Sequence, residues 1–489
     1  MAADDGRSAH ASPGRSQGMR QLWRRRSELE ASLAEGLEEP RPGLKLEDGS
    51  RVAVVGAGPA GSFFSYFLLR MAATLDLKLD VEIYEPRFFT HAGPAGCNHC
   101  GGIVSESLVQ LLATEGLNLP TEVVQRGIDS YMLHTDVGSV RIDTPLNEKR
   151  IAALYRGNGP RHSEPLSVYG FDRFLQDRAA GQGAMIRHKL VTRIEGEGDR
   201  PVIVCADGER ETYDLVAVAS GINSRLADGV PDGRPTYEPP AVSKTFICEF
   251  HLGQETIEKC LGTSMHVFLL DLPRLEFAAL IPKGDFVTMA LLGEDIDENL
   301  VEAFLDAPEV RACFPDARVP ANVCHCFPRI NVRAARRPFA DRLVLIGDCG
   351  VARLYKDGIG SAYRTAKAAA RTAVYQGISA EAFRAHFWPA CRAIDVDNRL
   401  GRLVFRVSGL IQKFRLTRRA LLRMIWSEQL SADRPRHMSS VMWDVFTGSA
   451  PYREILLRTL HPAFLVGLLW NLVAANVWQR RSRAARRHA

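Results

Sequence analysis

Gly56, Gly58 and Gly61 follow the apolar run 52–55 (VAVV) at a spacing that lets a backbone turn cradle a pyrophosphate. The first permits a sharp exit from a strand, the second a close approach of the phosphates, and the third close packing of the next helix, whose N-terminus faces them. This is the chemistry of dinucleotide binding. A second apolar run, 81–84, ends in Glu85, placed to accept a ribose hydroxyl, somewhat beyond the usual ~20 residues because the intervening helix and loop are long. Residues 342–350 (RLVLIGDCG) supply another buried strand, ending in Gly347 and in Asp348, an acceptor for a ribityl or ribose hydroxyl. Gly358 and Gly360 then open an alanine-rich helix whose N-terminal amides can face an anionic ring or phosphate.

These pieces need a parallel sheet covered on both faces, and residues 214–225 add a further buried strand and glycine turn of that kind. The chain of 489 residues is long enough for two to four domains, and an apolar fraction of 46% is ample for buried cores. Ten cysteines without an N-terminal apolar signal segment point to reduced thiols in a cytosolic setting. Residues 1–17 are small and polar, and 19–38 have the pattern of a surface helix. Net charge is only +5, yet Arg480, Arg481, Arg483, Arg486 and Arg487 crowd the end of the chain.

The order of these elements resembles the glutathione-reductase-type flavoproteins of the aromatic hydroxylase class, and more narrowly the geranylgeranyl reductase family. The resemblance covers roughly residues 50 to 460. It rests on the fingerprint at Gly56, Gly58 and Gly61, on Gly347-Asp348 with Gly358 and Gly360, and on Cys100-Gly101-Gly102-Ile103, similar to the family's cysteine-glycine loop. The hairpin pattern of residues 275–293 around Pro-Lys-Gly-Asp also matches, and its turn chemistry indicates a hairpin without the family. The resemblance implies an α/β fold: a Rossmann-like FAD-binding domain, an antiparallel-sheet substrate domain and a helical C-terminal region. It implies FAD as cofactor, with Cys100, Gly101 and Gly102 beside the isoalloxazine. The corresponding divisions are an N-terminal extension at 1–50, a discontinuous FAD-binding domain at 51–235 and 325–390, a substrate domain at 236–324, and a basic helical region at 391–489.

Two positions depart from the family. Ser220-Gly221 stands where hydroxylases of this class carry Asp-Gly, a position tied to NAD(P)H use, which favours a different reductant such as a reduced protein donor. Tyr169-Gly170 precedes Phe171-Asp172 where an arginine for the pyrophosphate is usual, and Arg173 is the substitute expected from the sequence. The Ala-Ser-Gly variant also occurs in flavin-dependent halogenases, but their tryptophan-rich signature is missing from residues 275–282.

Cys97-Asn-His-Cys100 has three readings: a redox dithiol, half of a metal site, or a loop in which only Cys100 adjoins flavin, as a pocket or proton-donating thiol. Packing alone also accounts for a small thiol. Zinc would need a second pair, and Cys324-His-Cys326 is poorly spaced for one, so no metal is expected. Tyr355 and Lys356 flank the Gly358 turn as further neighbours of the site.

The carboxy-terminal part points to lipid. In 399–423, Leu403, Val404, Val407, Leu410, Ile411 and Phe414 keep helical spacing among arginines and Lys413, and 463–478 is apolar apart from Asn471 and Asn476 before the arginine tail. At 16 residues the latter is short for a span. An interfacial helix on an anionic cytoplasmic membrane face and a cap on an apolar domain both fit. No aromatic-interleaved nucleic-acid module accompanies the basic tail. The expected function is therefore FAD-dependent hydrogenation of prenyl double bonds in a membrane isoprenoid. The alternatives are a flavin monooxygenase or halogenase-like enzyme on an apolar substrate, and a non-catalytic electron-transfer module.

Overall fold

The computed structural model describes residues 44–89, 92, 100–144, 151–160, 169–222, 226, 237–320, 324–430 and 435–487. The helix expected over 19–38, Cys97, residues 223–225 and the side chains of the arginine tail lie outside the described set. By contact the chain divides into Met1–Leu44 and Lys45–Ala489, and every element named below belongs to the latter.

The apolar runs form one six-stranded sheet, in the order Phe339–Ala340, Leu343–Leu345, Leu215–Val218, Ser50–Val55, Leu79–Tyr84, Met185–Arg187. All pairings are parallel except that of Phe339–Ala340 at one edge. Ser50–Val55 lies between the strand that follows it in sequence and Leu215–Val218, so the strand order reverses at its carboxyl end, where such sheets leave a crevice. The helix Pro59–Ala73 starts with proline at its first turn, which costs no intrahelical hydrogen bond there, and packs against Gly358–Tyr375 through Phe63 and Phe67 on Tyr363.

A seven-stranded sheet stands over the crevice, in the order Cys324–Cys326, Phe246–His251, Phe286–Gly293, Leu275–Lys283, Ser264–Phe268, Ser130–Thr135, Gly138–Asp143. The hairpin expected over 275–293 is present, with Lys283 opposite Phe286. Two features differ from the sequence reading. Ser130–Thr135 and Gly138–Asp143, assigned by sequence to the FAD-binding part, hydrogen-bond into this second sheet. The pairing of Ser130–Thr135 with Ser264–Phe268 is also parallel, so the sheet is not purely antiparallel. Both are pairings between strands far apart in sequence, which local pattern does not encode.

Five helices follow, Trp388–Lys413, Arg415–Gln429, His437–Thr447, Tyr452–Thr459 and Pro462–Arg487. The amphipathic stretch 399–423 is two helices, because Phe414 adopts an extended backbone between them. Trp443, Phe446, Tyr452 and Phe464 join Tyr131, Phe277 and Met265 in one core, which ties the helices to the seven-stranded sheet.

Candidate active site

The carboxyl ends of the parallel strands and one face of the second sheet enclose a cavity of about 680 Å³. Gly56, Gly58, Glu85, Cys100, Gly101, Gly102, Asp348 and Gly358 all line it, as the sequence reading requires of a shared ligand site. Gly56 has φ +101°, and a Cβ there would lie 2.6 Å from the Ala219 carbonyl oxygen. Ala57 N–H donates to Glu85 Oε2 at 3.1 Å, and Arg87 Nε donates to the other oxygen at 3.0 Å, so the acid at the end of the second strand also fixes the turn.

Gly61, Gly347 and Gly360 do not line the cavity, and they shape it from behind. A side chain on Gly61 would collide with the Gly56 carbonyl. Gly347 has φ +63° and lets its backbone meet Ala60, since a Cβ would come within 2.6 Å of the Ala60 Cβ. At Gly360 the expectation of an amide facing the ligand needs correcting, because its N–H already donates to Asp357 Oδ1 at 3.1 Å. Asp357 caps this helix and is itself held by Arg353 and Arg364, each at 2.8 Å.

Arg173 is also corrected. It is exposed on the helix Phe171–Ala180, with its guanidinium over the Tyr169 ring, and does not line the cavity. Arg87, Arg156, Arg329 and Arg353 do line it, and of these Arg156, one residue beyond the loop start that follows Ile151–Leu154, stands at the glycine turn. Its Nε and terminal nitrogen donate to the two oxygens of the wholly buried Asp172 at 3.0 and 2.8 Å. Burial opposes the Arg156 charge, but the Asp172 carboxylate outweighs it and the guanidinium pKa is raised. Burial is the larger influence on Asp172 and raises its pKa against the pull of Arg156, while the two-point fork holds the pair together. A Cβ on Gly58 would lie 3.2 Å from the Arg156 guanidinium, so the arginine stands directly over the glycine turn. Its signal in the sequence was slight: a lone arginine in a loop, partnered by an aspartate sixteen positions on.

Asp348 lines the cavity near Arg156; burial raises its pKa, and the Arg156 charge works against that rise. Asn331 donates to the Asp348 carbonyl at 3.3 Å, while its own side-chain oxygen is buried without a hydrogen-bond partner among the described residues. Glycine turn, cation, carboxylate and this orphaned acceptor fit FAD: Arg156 would meet its pyrophosphate, and Glu85 and Asp348 would accept its hydroxyls. Gly102, at φ +67°, bends the Cys100 loop so that its N–H donates to Cys100 Sγ at 3.3 Å, which leaves the thiol at the cavity wall.

The remaining wall is apolar and follows from strand periodicity. Phe277, Ala279 and Ile281 on one strand and Ala290 and Leu292 on the next face the cavity, while Ala278, Leu280, Val287 and Met289 point into a separate core. Tyr355, at φ +58°, closes this end against the Phe405 ring. Lys356 lines the cavity too, but its ammonium donates to the Asp444 and Ala450 carbonyls at 2.9 and 3.2 Å, and burial lowers its pKa to about 7. It holds the His437–Thr447 helix in place. Ser220, the departure from the hydroxylase pattern, lines the cavity with its Oγ 3.6 Å from Cys349 Sγ.

No protein-family model matches the chain. A curated relative, 6-hydroxynicotinate 3-monooxygenase from Pseudomonas fluorescens, is 29% identical over 188 residues, 37% of this chain and 43% of its own length. The chain thus matches less than half of that relative. Among solved structures, the halogenase PltM superposes with TM-score 0.54 at 12% identity, over 89% of this chain and 93% of that one. The p-nitrophenol 4-monooxygenase PnpA from Pseudomonas putida DLL-E4 does so with 0.54 at 13% identity, over 83% and 99%. These likenesses establish the fold and support the broader resemblance, to aromatic-hydroxylase-like flavoproteins with FAD as cofactor. They give no specific support to its narrower part, the geranylgeranyl reductases, nor to the glutathione-reductase type.

Proposed function

We propose that the chain is an FAD-dependent oxidoreductase of the monooxygenase type, acting on an apolar, aromatic-sized substrate. The observation that carries this is the continuity of the cradle around Gly58, Arg156 and Asp348 with the apolar chamber of Met265, Phe277, Ile281, Leu292 and Phe446, all in one cavity. Bound FAD supplies electrons to dioxygen. Arg156 neutralises the pyrophosphate, Glu85 and Asp348 accept hydroxyls, and the chamber seats the substrate while excluding water. Prenyl hydrogenation, the first expectation from sequence, has no support from the relatives, whose named activities favour oxygenation or halogenation.

Ser220 supports a reduced protein donor in place of direct NAD(P)H use. The exposed apolar faces of the last helices support membrane association. No single described helix is long and apolar enough to cross a membrane, and the pair Tyr452–Thr459 and Pro462–Ala475 is bent by 64°. Phe464, Asn471 and Ala475 are buried against the protein, whereas Leu465, Val466, Leu469, Trp470 and Val473 face outward. One stripe caps the core and the other is available to lipid.

Reduction of the purified flavoprotein with dithionite, followed by oxygen and a panel of phenols, N-heteroaromatics and prenyl lipids, tests the reading. A product heavier by one oxygen supports it. A two-hydrogen gain on a prenyl lipid overturns it in favour of hydrogenation, and halide-dependent products place the enzyme with the halogenases.

A further inference from the structure

Away from the cofactor cavity, the sheet pairing brings three metal-ligating atoms together. His134 and His266 lie on neighbouring strands, with His134 opposite Phe268 in the parallel register, and Cys313 follows the short helix Pro308–Arg311. His134 Nε2 is 3.0 Å from His266 Nδ1, and Cys313 Sγ is 3.4 Å from His266 Nδ1 and 3.9 Å from His134 Nε2. All three residues are buried, and none lines the cofactor cavity. We propose that His134, His266 and Cys313 form a metal-binding site for a thiophilic cation, zinc(II) or copper(I).

The spacing fits one face of a coordination polyhedron. Bonds of about 2.0 Å to nitrogen and about 2.3 Å to sulfur, at tetrahedral angles, place the two nitrogens about 3.3 Å apart and each about 3.5 Å from the sulfur. The outer nitrogens are fixed as metal-binding histidines require. His266 Nε2 donates to the Leu261 carbonyl at 3.3 Å, which leaves Nδ1 with its lone pair toward the cluster. His134 Nδ1 lies 2.8 Å from the hydroxyl of Ser139, its cross-strand partner, which can accept from that nitrogen once Nε2 coordinates. Burial keeps both imidazoles neutral, with their pKa values lowered to about 3 and about 4. Without metal, the Cys313 thiol stays protonated, its pKa raised to about 12 by burial and then by Cys260. On binding, the metal–sulfur bond replaces the S–H bond and the proton leaves to solvent. A cation there clamps segment 298–313 onto the far strands of the sheet, and revises the expectation from sequence that the chain carries no metal.

The purified flavoprotein, stripped with chelator, is incubated with equimolar Zn²⁺, or with Cu⁺ under anaerobic reducing conditions. It is then desalted and its metal content measured. The wild type should retain about one ion per chain of at least one metal, and Cys313→Ser and His266→Gln should each weaken retention at least tenfold at unchanged flavin content. The proposal is overturned if the wild type retains neither metal, or if both variants retain as much as the wild type. The same result would show the cluster to be a hydrogen-bonded triad. If the variants lose flavin as well, metal titration of the wild type in competition with a chromophoric chelator decides alone. Because retention is read without turnover, it stands or falls separately from the proposed oxygenase activity.

Discussion

Arg156 and Asp172 form a two-point ion pair over the glycine turn, so that the sheet side and the helix Phe171–Ala180 jointly aim one guanidinium into the cofactor cavity. Arg156→Ala should weaken FAD binding roughly ten- to a hundredfold, in keeping with about 1.5–3 kcal/mol for a hydrogen bond to a charged group. Arg173→Ala should leave it unchanged. Fluorescence titration of the apoprotein with FAD separates the two. Asp172→Asn should cost about 3–5 kcal/mol of stability, since it leaves a buried charge without its partner.

Gly347 and Gly358 should respond in opposite ways to alanine. At Gly347 a methyl group meets both a left-handed backbone and the Ala60 side chain, so the variant should lose about 1–3 kcal/mol in denaturant melts. At Gly358 a Cβ meets nothing within 4 Å, and the position opens a helix. That variant should match or exceed the wild-type apoprotein in stability, and bind FAD more weakly because the methyl points into the cofactor space.

Glu276 should make stability fall as pH rises. Burial, reinforced by Glu294, raises its carboxyl pKa to about 7. The folded state therefore holds a proton that the unfolded chain releases near 4.5, and the contribution is complete below that value and lost as pH climbs through about 7. Glu276→Gln should flatten the melting temperature between these limits. An unchanged slope would show that the carboxyl is ionised in the fold.

The outward stripe of the last helix can be tested without removing its buried one. Leu469→Gln combined with Trp470→Gln changes only exposed side chains, Trp470 being 68% accessible. The double variant should keep the wild-type melting temperature and bind anionic phospholipid vesicles at least tenfold more weakly in sedimentation, given about 1.5–3 kcal/mol for each large apolar side chain withdrawn from water. Truncation before His461 is a poorer probe, since it also strips Phe464 from the core.

Local pattern was enough to pick out the glycine turn that lines the cavity. Strand, glycine turn and helix are consecutive at 50–73, and each glycine answers a backbone need that only a few residues decide, so Gly56, Gly58, Glu85 and Asp348 were legible as one site. The hairpin at 275–293 was legible for the same reason. What required the tertiary structure was which further side chains, from segments without a motif of their own, meet that cradle or one another. Arg156 rather than Arg173 reaches the turn because its loop is tied by Asp172 to the first turn of the helix Phe171–Ala180, and no periodicity encodes that contact. Gly360 serves a cap, not a ligand, because Asp357 folds back on its amide. His134, His266 and Cys313 lie far apart in sequence and meet only through a parallel pairing whose register is set by burial of both sheet faces. The sequence thus determined which backbone can hold a dinucleotide, while packing decided which charges and thiols stand around it.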